Sequence, residues 1–179
     1  MLAYNSHNRQ FPAPAPTTIT VKITIIQVGK TKHSFFQEAE AEYQKRLKPL
    51  LNIETITLKE AEIPKGDPEA GRKLVKAKEA AEIIKNIPKD SYIIALDERG
   101  KQFTSLEFAS FLNERMQQST KNLVFIIGGP YGLEEIIKSQ AKLLLSFSKL
   151  TFTHECIRTL LLEQIYRAHT ILGGKTYHY

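Results

Sequence analysis

The sequence predicts an α/β domain whose largely parallel sheet is covered by helices on both faces. Short apolar runs of strand length alternate with amphipathic stretches of helix length from Val21 onward. One run, Leu123 to Ile127 (L-V-F-I-I), is continuously apolar, as a strand buried on both faces is. It runs straight into Gly128-Gly129-Pro130-Tyr131-Gly132, at the carboxyl end of the strand, where open α/β sheets bind their ligands. On spacing alone this turn reads either as a ligand loop or as a tight strand-to-helix connection.

Each element has its own local warrant. Met1 to Thr20, with Pro12, Pro14 and Pro16 alternating with alanine, shows no helical or strand period and is expected to be a disordered extension. Residues 21–179 form a single domain. Val21 to Val28 is the first strand, closing at Gly29-Lys30-Thr31. Ser34-Phe35-Phe36-Gln37 has the form of a capping box, and Phe35, Ala39, Tyr43 and Leu47 follow as a helical core stripe that Pro49 ends. Ile53 to Leu58 alternates apolar and polar as the second strand, and Glu60 to Gly66 is a loop of mixed charge.

Asp67-Pro68-Glu69 starts the next helix with an N-cap, a proline at the first helical position and an acid in the first turn. Its expected buried face is Leu74, Ala77, Ala81 and Ile84, with Lys73, Lys76, Lys78 and Lys85 facing solvent. Tyr92 to Leu96 is the third strand, followed by a loop, Asp97 to Lys101. Thr104-x-x-Glu107 caps a helix with Phe108, Phe111 and Leu112 inward. Leu133 to Ala141 is amphipathic, Leu143 to Phe147 is a short fifth strand, and the last helix runs from about His154 to Leu172. Ile157, Leu161, Ile165, Ala168 and Leu172 share one face of it.

Composition bounds the function. The 179 residues, 42% hydrophobic and 25% charged, are those of a globular chain with a real core. No run approaches the ~18 apolar residues of a membrane span, and the N-terminus lacks a basic-then-apolar signal pattern, so a membrane partner is not expected. Cys156 is the single cysteine, so no internal disulfide forms, and a reducing, cytoplasmic setting is the expectation. A net charge of +6 suits a polyanionic partner such as nucleic acid, though modestly.

Several chemistries are excluded by pattern. The glycine fingerprint of dinucleotide-binding folds follows the first strand, where this chain has only Gly29. Neither a P-loop nor a G-x-S-x-G nucleophile elbow occurs. The five histidines are scattered without metal-ligand spacing, so no metal is expected. What remains is three loops late in the chain: Leu96–Lys101, Gly128–Gly132 and Phe147–His154. Side by side at one sheet edge they would enclose a small ligand among Leu96, Gly128, Leu150 and Phe152. That lining suits a flat heteroaromatic ring such as adenine better than a triphosphate.

These loops also carry a resemblance. L-D-x-x-G-K at Leu96–Lys101, I-G-G-P-x-G at Ile127–Gly132, S-K-L-T-F-x-H at Ser148–His154, E-Q-I-Y-R-A at Glu163–Ala168 and the terminal Y-H-Y at Tyr177–Tyr179 stand in order. Together they resemble the RlmH family, the bacterial large-subunit ribosomal-RNA pseudouridine N3-methyltransferases of the SPOUT class, over Val21 to Tyr179. The resemblance implies a SPOUT-type α/β knot with a deep C-terminal trefoil, an exception to the usual absence of knots. It also implies a homodimer, S-adenosylmethionine as methyl donor, and a pseudouridine of 23S rRNA in the assembled 70S ribosome as acceptor. Residue by residue, it puts cofactor contacts at Leu96, Gly128, Phe147, Ser148, Lys149, Leu150, Thr151 and Phe152. Acceptor-side residues fall at His154, Arg158, Glu163, Tyr166, Arg167, Tyr177 and His178, with His178 the first choice for handling the acceptor. Some relatives end in a basic residue after the Tyr-His pair, where this chain has Tyr179.

Plainer readings stand beside these. Glu163 and Arg167, at i and i+4, are also an ordinary helix ion pair. Tyr166 could stack on RNA or pack at a dimer interface, and the Leu160–Leu162 run exceeds what one helix face buries within a monomer. Cys156 reads as an inert small residue. The competing functional classes are a non-catalytic RNA-binding or ribosome-assembly protein of the same fold, and a nucleotide-binding regulator of flavodoxin type.

Overall fold

The computed structural model describes residues 21–63, 68–118 and 121–174. Five strands and five helices alternate along them: β1 (Lys22–Val28), α1 (Ser34–Leu47), β2 (Asn52–Leu58), α2 (Pro68–Asn86), β3 (Ser91–Lys101), α3 (Ser105–Gln117), β4 (Asn122–Ile127), α4 (Glu135–Gln140), β5 (Leu143–Leu145) and α5 (His154–Leu172). The strands form one sheet in the order β2-β1-β4-β3-β5, and every neighbouring pair is parallel. The extension Met1–Thr20 and the tail residues Tyr177, His178 and Tyr179 lie outside the described residues.

Alternation along the central strands divides the core in two. Ile23, Ile25, Leu123 and Phe125 point to the face covered by α1, α3 and α5, where they meet Leu47, Phe108, Leu112, Leu161 and Ile165. Ile26, Val28, Val124 and Ile126 point to the face covered by α2 and α4, against Ala80, Ile83, Leu133 and Ile137. The three-helix face sets α5 against both α1 and α3. Leu161 and Leu162 are both buried there within one chain, so the Leu160–Leu162 run needs no second copy to cover most of it.

The expected elements are all present, with five local corrections, the first being that β5 stops at Leu145 rather than running to Phe147. The strand after Pro88 does not stop at Leu96 but continues through Lys101, with an irregularity between Leu96 and Lys101 where it runs beside β5. Gly100 allows this: a Cβ there would lie 2.6 Å from the backbone carbons of Leu144 and Leu145. The buried face of α2 is Gly71, Val75, Glu79, Ala80 and Ile83, and the whole expected stripe, Leu74, Ala77, Ala81 and Ile84, is exposed. The helix α1 begins after His33 with no side-chain cap; Gln37 instead donates to the Thr31 carbonyl at 2.7 Å. Phe35, expected in the core, is 59% exposed. The α3 capping box forms as read: Glu107 N donates to Thr104 Oγ1 and Thr104 N donates to the Glu107 carboxylate.

Candidate active site

Parallel order brings the ends of β3, β4 and β5 to one edge, and a cavity of about 1100 Å³ opens there. Its walls are the three loops singled out from the sequence. Leu96 and Asp97 come from β3, Gly128 to Gly132 from the turn after β4, and Ser146 to Glu155 from the segment entering α5, with Lys149 left out. The β1–α1 loop adds a fourth wall that sequence reasoning missed, through His33, Phe35 and Phe36. Phe35 and Phe36 pack as tilted rings with centroids 4.5 Å apart, and the His33 ring lies 5.4 Å from Phe35. The apolar stripe of α1 therefore ends on the cavity rim, which is why Phe35 is not in the core.

The loop after β5 is shaped by its own serines. Ser146, buried, donates from Oγ to the Ser148 carbonyl at 2.7 Å and accepts from Ser148 N; Ser148 Oγ accepts from Leu150 N at 3.0 Å. These short-range hydroxyl bonds fold the backbone into successive turns. They leave Leu150, 72% exposed, and Phe152, 42% exposed, on the cavity side. Ser146 N also donates to the Lys101 carbonyl, fixing this loop to the end of β3. The β4 turn is closed by Gly132 N donating to the Gly129 carbonyl, with Gly132 at φ 72°. A Cβ on Gly128 would come within 2.9 Å of the Gly132 carbonyl carbon, so a side chain there would distort the turn itself.

The first turn of α5 ties the cavity to β1. Thr153 caps the helix, its hydroxyl accepting from Cys156 N. Glu155 Oε2 accepts from Lys32 N and His33 N at 3.1 Å each, and His33 Nδ1 lies at the same distance. Burial pushes the Glu155 carboxyl up, but these donors outweigh it and hold it at about 2. Arg158, 1% exposed, donates to the Val28 carbonyl at 2.6 Å and to Thr31 Oγ1 at 2.9 Å. Thr31 Oγ1 in turn donates to Glu40, whose carboxyl burial raises above its ordinary value. Burial, reinforced by Arg158, lowers the pKa of His154, which keeps the imidazole neutral near pH 7.

The sequence-derived site residues thus divide. Leu96, Gly128, Phe147, Ser148, Leu150, Thr151, Phe152 and His154 meet around one cavity. Lys149 does not line it. Arg158 lies behind the wall and points inward, so it shapes the β1–α1 loop rather than facing an acceptor. Glu163, Tyr166 and Arg167 sit two to three turns further along α5 and do not line the cavity. Arg167 forms an ion pair with Glu163, with Nε 2.9 Å from Oε1, and Tyr166 packs on Tyr43 with Arg46 over both rings. Glu155 and the β1–α1 loop escaped sequence reasoning because their partners are more than 120 residues apart. The one local signal was an acid in the first turn of α5, which a helix dipole alone would explain. Among the described residues no cluster of three or more His, Cys, Asp or Glu is arranged to hold a metal.

Residues 21–178 match the family model described as "Predicted SPOUT methyltransferase". The chain belongs to the SPOUT methyltransferase family. Within it, the chain is 41% identical over 158 residues to the ribosomal RNA large subunit methyltransferase H of Halothermothrix orenii, covering 88% of this chain and 99% of that protein. The corresponding protein of Parabacteroides distasonis is 40% identical over 159 residues, covering 89% and 99%. A probable methylase family protein from Haemophilus influenzae shares the fold, with a TM-score of 0.50 at 16% identity over 89% of this chain and 71% of that one. The chain is accordingly a methyltransferase by family, and both of these relatives are named for large-subunit ribosomal RNA. S-adenosylmethionine is the donor such methyltransferases use, and it supplies an electrophilic methyl group on a sulfonium. The cavity fits it: apolar walls at Leu96, Leu150 and Phe152 suit the adenine ring, and backbone groups of the Gly128–Gly132 and Ser146–Leu150 turns offer polar contacts at its edges.

Proposed function

We propose that this methyltransferase acts on N3 of a pseudouridine in 23S rRNA, and that it does so as a cytoplasmic homodimer on the assembled 70S ribosome. The observation that carries this reading is the enclosure of one apolar cavity by the three motif-bearing loops, with His154 in its wall. Methyl transfer needs the acceptor nitrogen aligned behind the methyl group, so positioning supplies much of the rate. The nitrogen must also lose its proton, and His154, neutral and half-buried, is suited to receive it. His178 and Tyr177, beyond the described residues, remain the tail groups through which the family resemblance supports acceptor binding. The same resemblance supports a C-terminal trefoil in this fold.

Net charge of +6 over 179 residues favours weak, salt-sensitive contact with free RNA, so a preformed ribosomal surface has to supply the rest of the affinity. Mass spectrometry of 23S rRNA from a deletion strain tests the acceptor: one pseudouridine should lose a single methyl group, and an unchanged methylation pattern would overturn the reading. Assays with purified particles test the context, with methylation of 70S ribosomes expected and equal methylation of naked 23S rRNA counting against it.

A further inference from the structure

Behind the cavity wall, three buried polar atoms have no hydrogen-bond partner: Glu60 Oε1, His154 Nε2 and Arg158 Nε. They belong to one neighbourhood. The Glu60 carboxylate lies flat against Gly29, where a Cβ would come within 2.2 Å of Oε1, and Arg158 donates to the carbonyl of Val28, the residue before it. His154 and Arg158 stand four residues apart on the first turns of α5, on the same side of the helix. Orphaned polar atoms in a protein interior are costly and are usually satisfied by water.

The three atoms are chemically complementary. Arg158 Nε can only donate, Glu60 Oε1 accepts when ionised, and His154 Nε2 does either according to its tautomer. One water that accepts from Arg158, donates to Glu60 and exchanges a proton with His154 satisfies all three, the usual number of bonds for a buried water. The carboxylate also has a way out: its other oxygen faces Lys32 Nζ at 3.6 Å, on a side chain 68% exposed.

We propose that Glu60, His154 and Arg158 enclose one ordered water, and that this water passes the acceptor's proton from His154 to Glu60 and out to solvent beside Lys32. The inference rests on the proposed methylation of a ring nitrogen. In that reaction the N–H bonding pair becomes the new N–CH₃ bond, while the C–S bond breaks with its pair going to sulfur. One proton is left over per turnover. His154 takes it on the ring nitrogen toward the cavity and releases another from Nε2 to the water, which hands one to Glu60 Oε1. Charged and titratable groups facing the cluster are Lys32 and His33 from the β1–α1 loop, Glu40 from α1, Glu79 from α2, and Glu155 and Arg158 from α5. Arg158 keeps the water oriented and disfavours a lasting charge on His154.

A high-resolution crystal structure of the full chain tests the water directly: density within about 3.2 Å of all three atoms is expected. Empty space there, or direct contact between the side chains, would overturn the proposal. The relay is tested with Glu60→Gln and Glu60→Ala on ribosomal particles lacking the methyl group. Both should lower kcat about tenfold, less than the roughly hundredfold or more of a group that takes the substrate's proton directly, because Glu60 acts through the water and His154. S-adenosylhomocysteine affinity and thermal stability should stay near wild type. Formate or acetate should restore turnover to Glu60→Ala but not to His154→Ala, a rescue that a merely structural glutamate would not show. Wild-type kcat in both Glu60 variants would refute the relay. Absence of methyl transfer by the wild-type protein would instead refute the proposed function, and the crystallographic result would still decide the water.

Discussion

Lys138 reaches across the cavity floor to Asp97, with Nζ 2.6 Å from Oδ2, and so joins α4 to the end of β3. Both side chains are largely buried and both line the cavity. Burial pushes the Asp97 carboxyl up, but the hydrogen bonds from Lys138 and Arg99 N outweigh it and hold its pKa below the ordinary value. The pair fixes the distance between the two walls that carry Leu96 and Gly132.

A double-mutant cycle with Asp97→Asn and Lys138→Met should therefore show a coupling of about 1–2 kcal/mol in urea unfolding, above the range of exposed pairs. Each single variant should also weaken S-adenosylmethionine binding, measured by calorimetry. Additive stabilities would show that the pair is screened by solvent and does not hold the walls.

Glu155 gives the fold a defined response to acid. Its carboxyl titrates at about 2 when folded against 4.5 for the unperturbed group. A depressed folded pKa contributes stability that is fully present above the unfolded value and is lost as pH falls through the folded one. Wild-type unfolding free energy should thus drop between pH 4.5 and 2 more steeply than that of Glu155→Gln. Parallel pH profiles for the two proteins would remove Glu155 from the acid response.

Two glycines separate close approach from backbone conformation. At Gly100 a Cβ meets backbone carbons of β5 at 2.6 Å, whereas at Gly132 (φ 72°) nothing lies within 4 Å. Gly132→Ala should cost about 1–2 kcal/mol, the penalty of a left-handed conformation for an L-residue. Gly100→Ala has to part β3 from β5, and should cost more than that and raise the S-adenosylmethionine Kd by displacing the Ser146 turn. Chemical denaturation of both variants checks the order; the reverse ranking would contradict the β3–β5 packing.

Leu150 is the cleanest probe of the cavity, because it makes little contact with the rest of the chain at 72% exposure. Leu150→Ala should leave stability within about 0.5 kcal/mol. It should raise the S-adenosylmethionine Kd roughly fivefold, the equivalent of about 1 kcal/mol of lost apolar contact. Unchanged affinity would place the adenine elsewhere.

The alternation of apolar runs and amphipathic stretches was enough to read the order of strands and helices, because period and length are local properties of the chain. The same locality explains the errors. On α2 the expected stripe of Leu74 and Ile84 is more hydrophobic than the true one, which includes Gly71 and Glu79. Glu79 is buried because Ala61 N donates to it and Gly129 packs against it, neither of which is visible in the helix itself. Strand β3 overran its expected end because only the approach of Leu144 and Leu145 makes a strand of Asp97 to Lys101.

The cavity was legible for a different reason. Three of its walls are strand ends, and parallel order brings strand ends together without any knowledge of side-chain contacts. Its fourth wall and its anchors were hidden. The family resemblance puts Arg158 on the acceptor side, and only its bonds to Val28 and Thr31 reveal that it turns inward. Glu163 and Arg167 illustrate the opposite case, where the ion pair between them is the ordinary i, i+4 pair of a helix face.

The sheet order has a bearing on how the protein is made. Strand β1 is hydrogen-bonded on one side to β4, with Lys22 opposite Asn122, and the clamp on its trailing loop comes from Glu155 and Arg158. A nascent chain therefore exposes the first strand until the fourth has left the exit tunnel, and cannot lock the loop beside it until the last helix follows. Folding of so non-local a sheet is slow compared with helix formation. The wall of the cavity built by the β1–α1 loop is therefore completed only when α5 docks, so the last helix to be synthesised finishes the methyl-donor cavity.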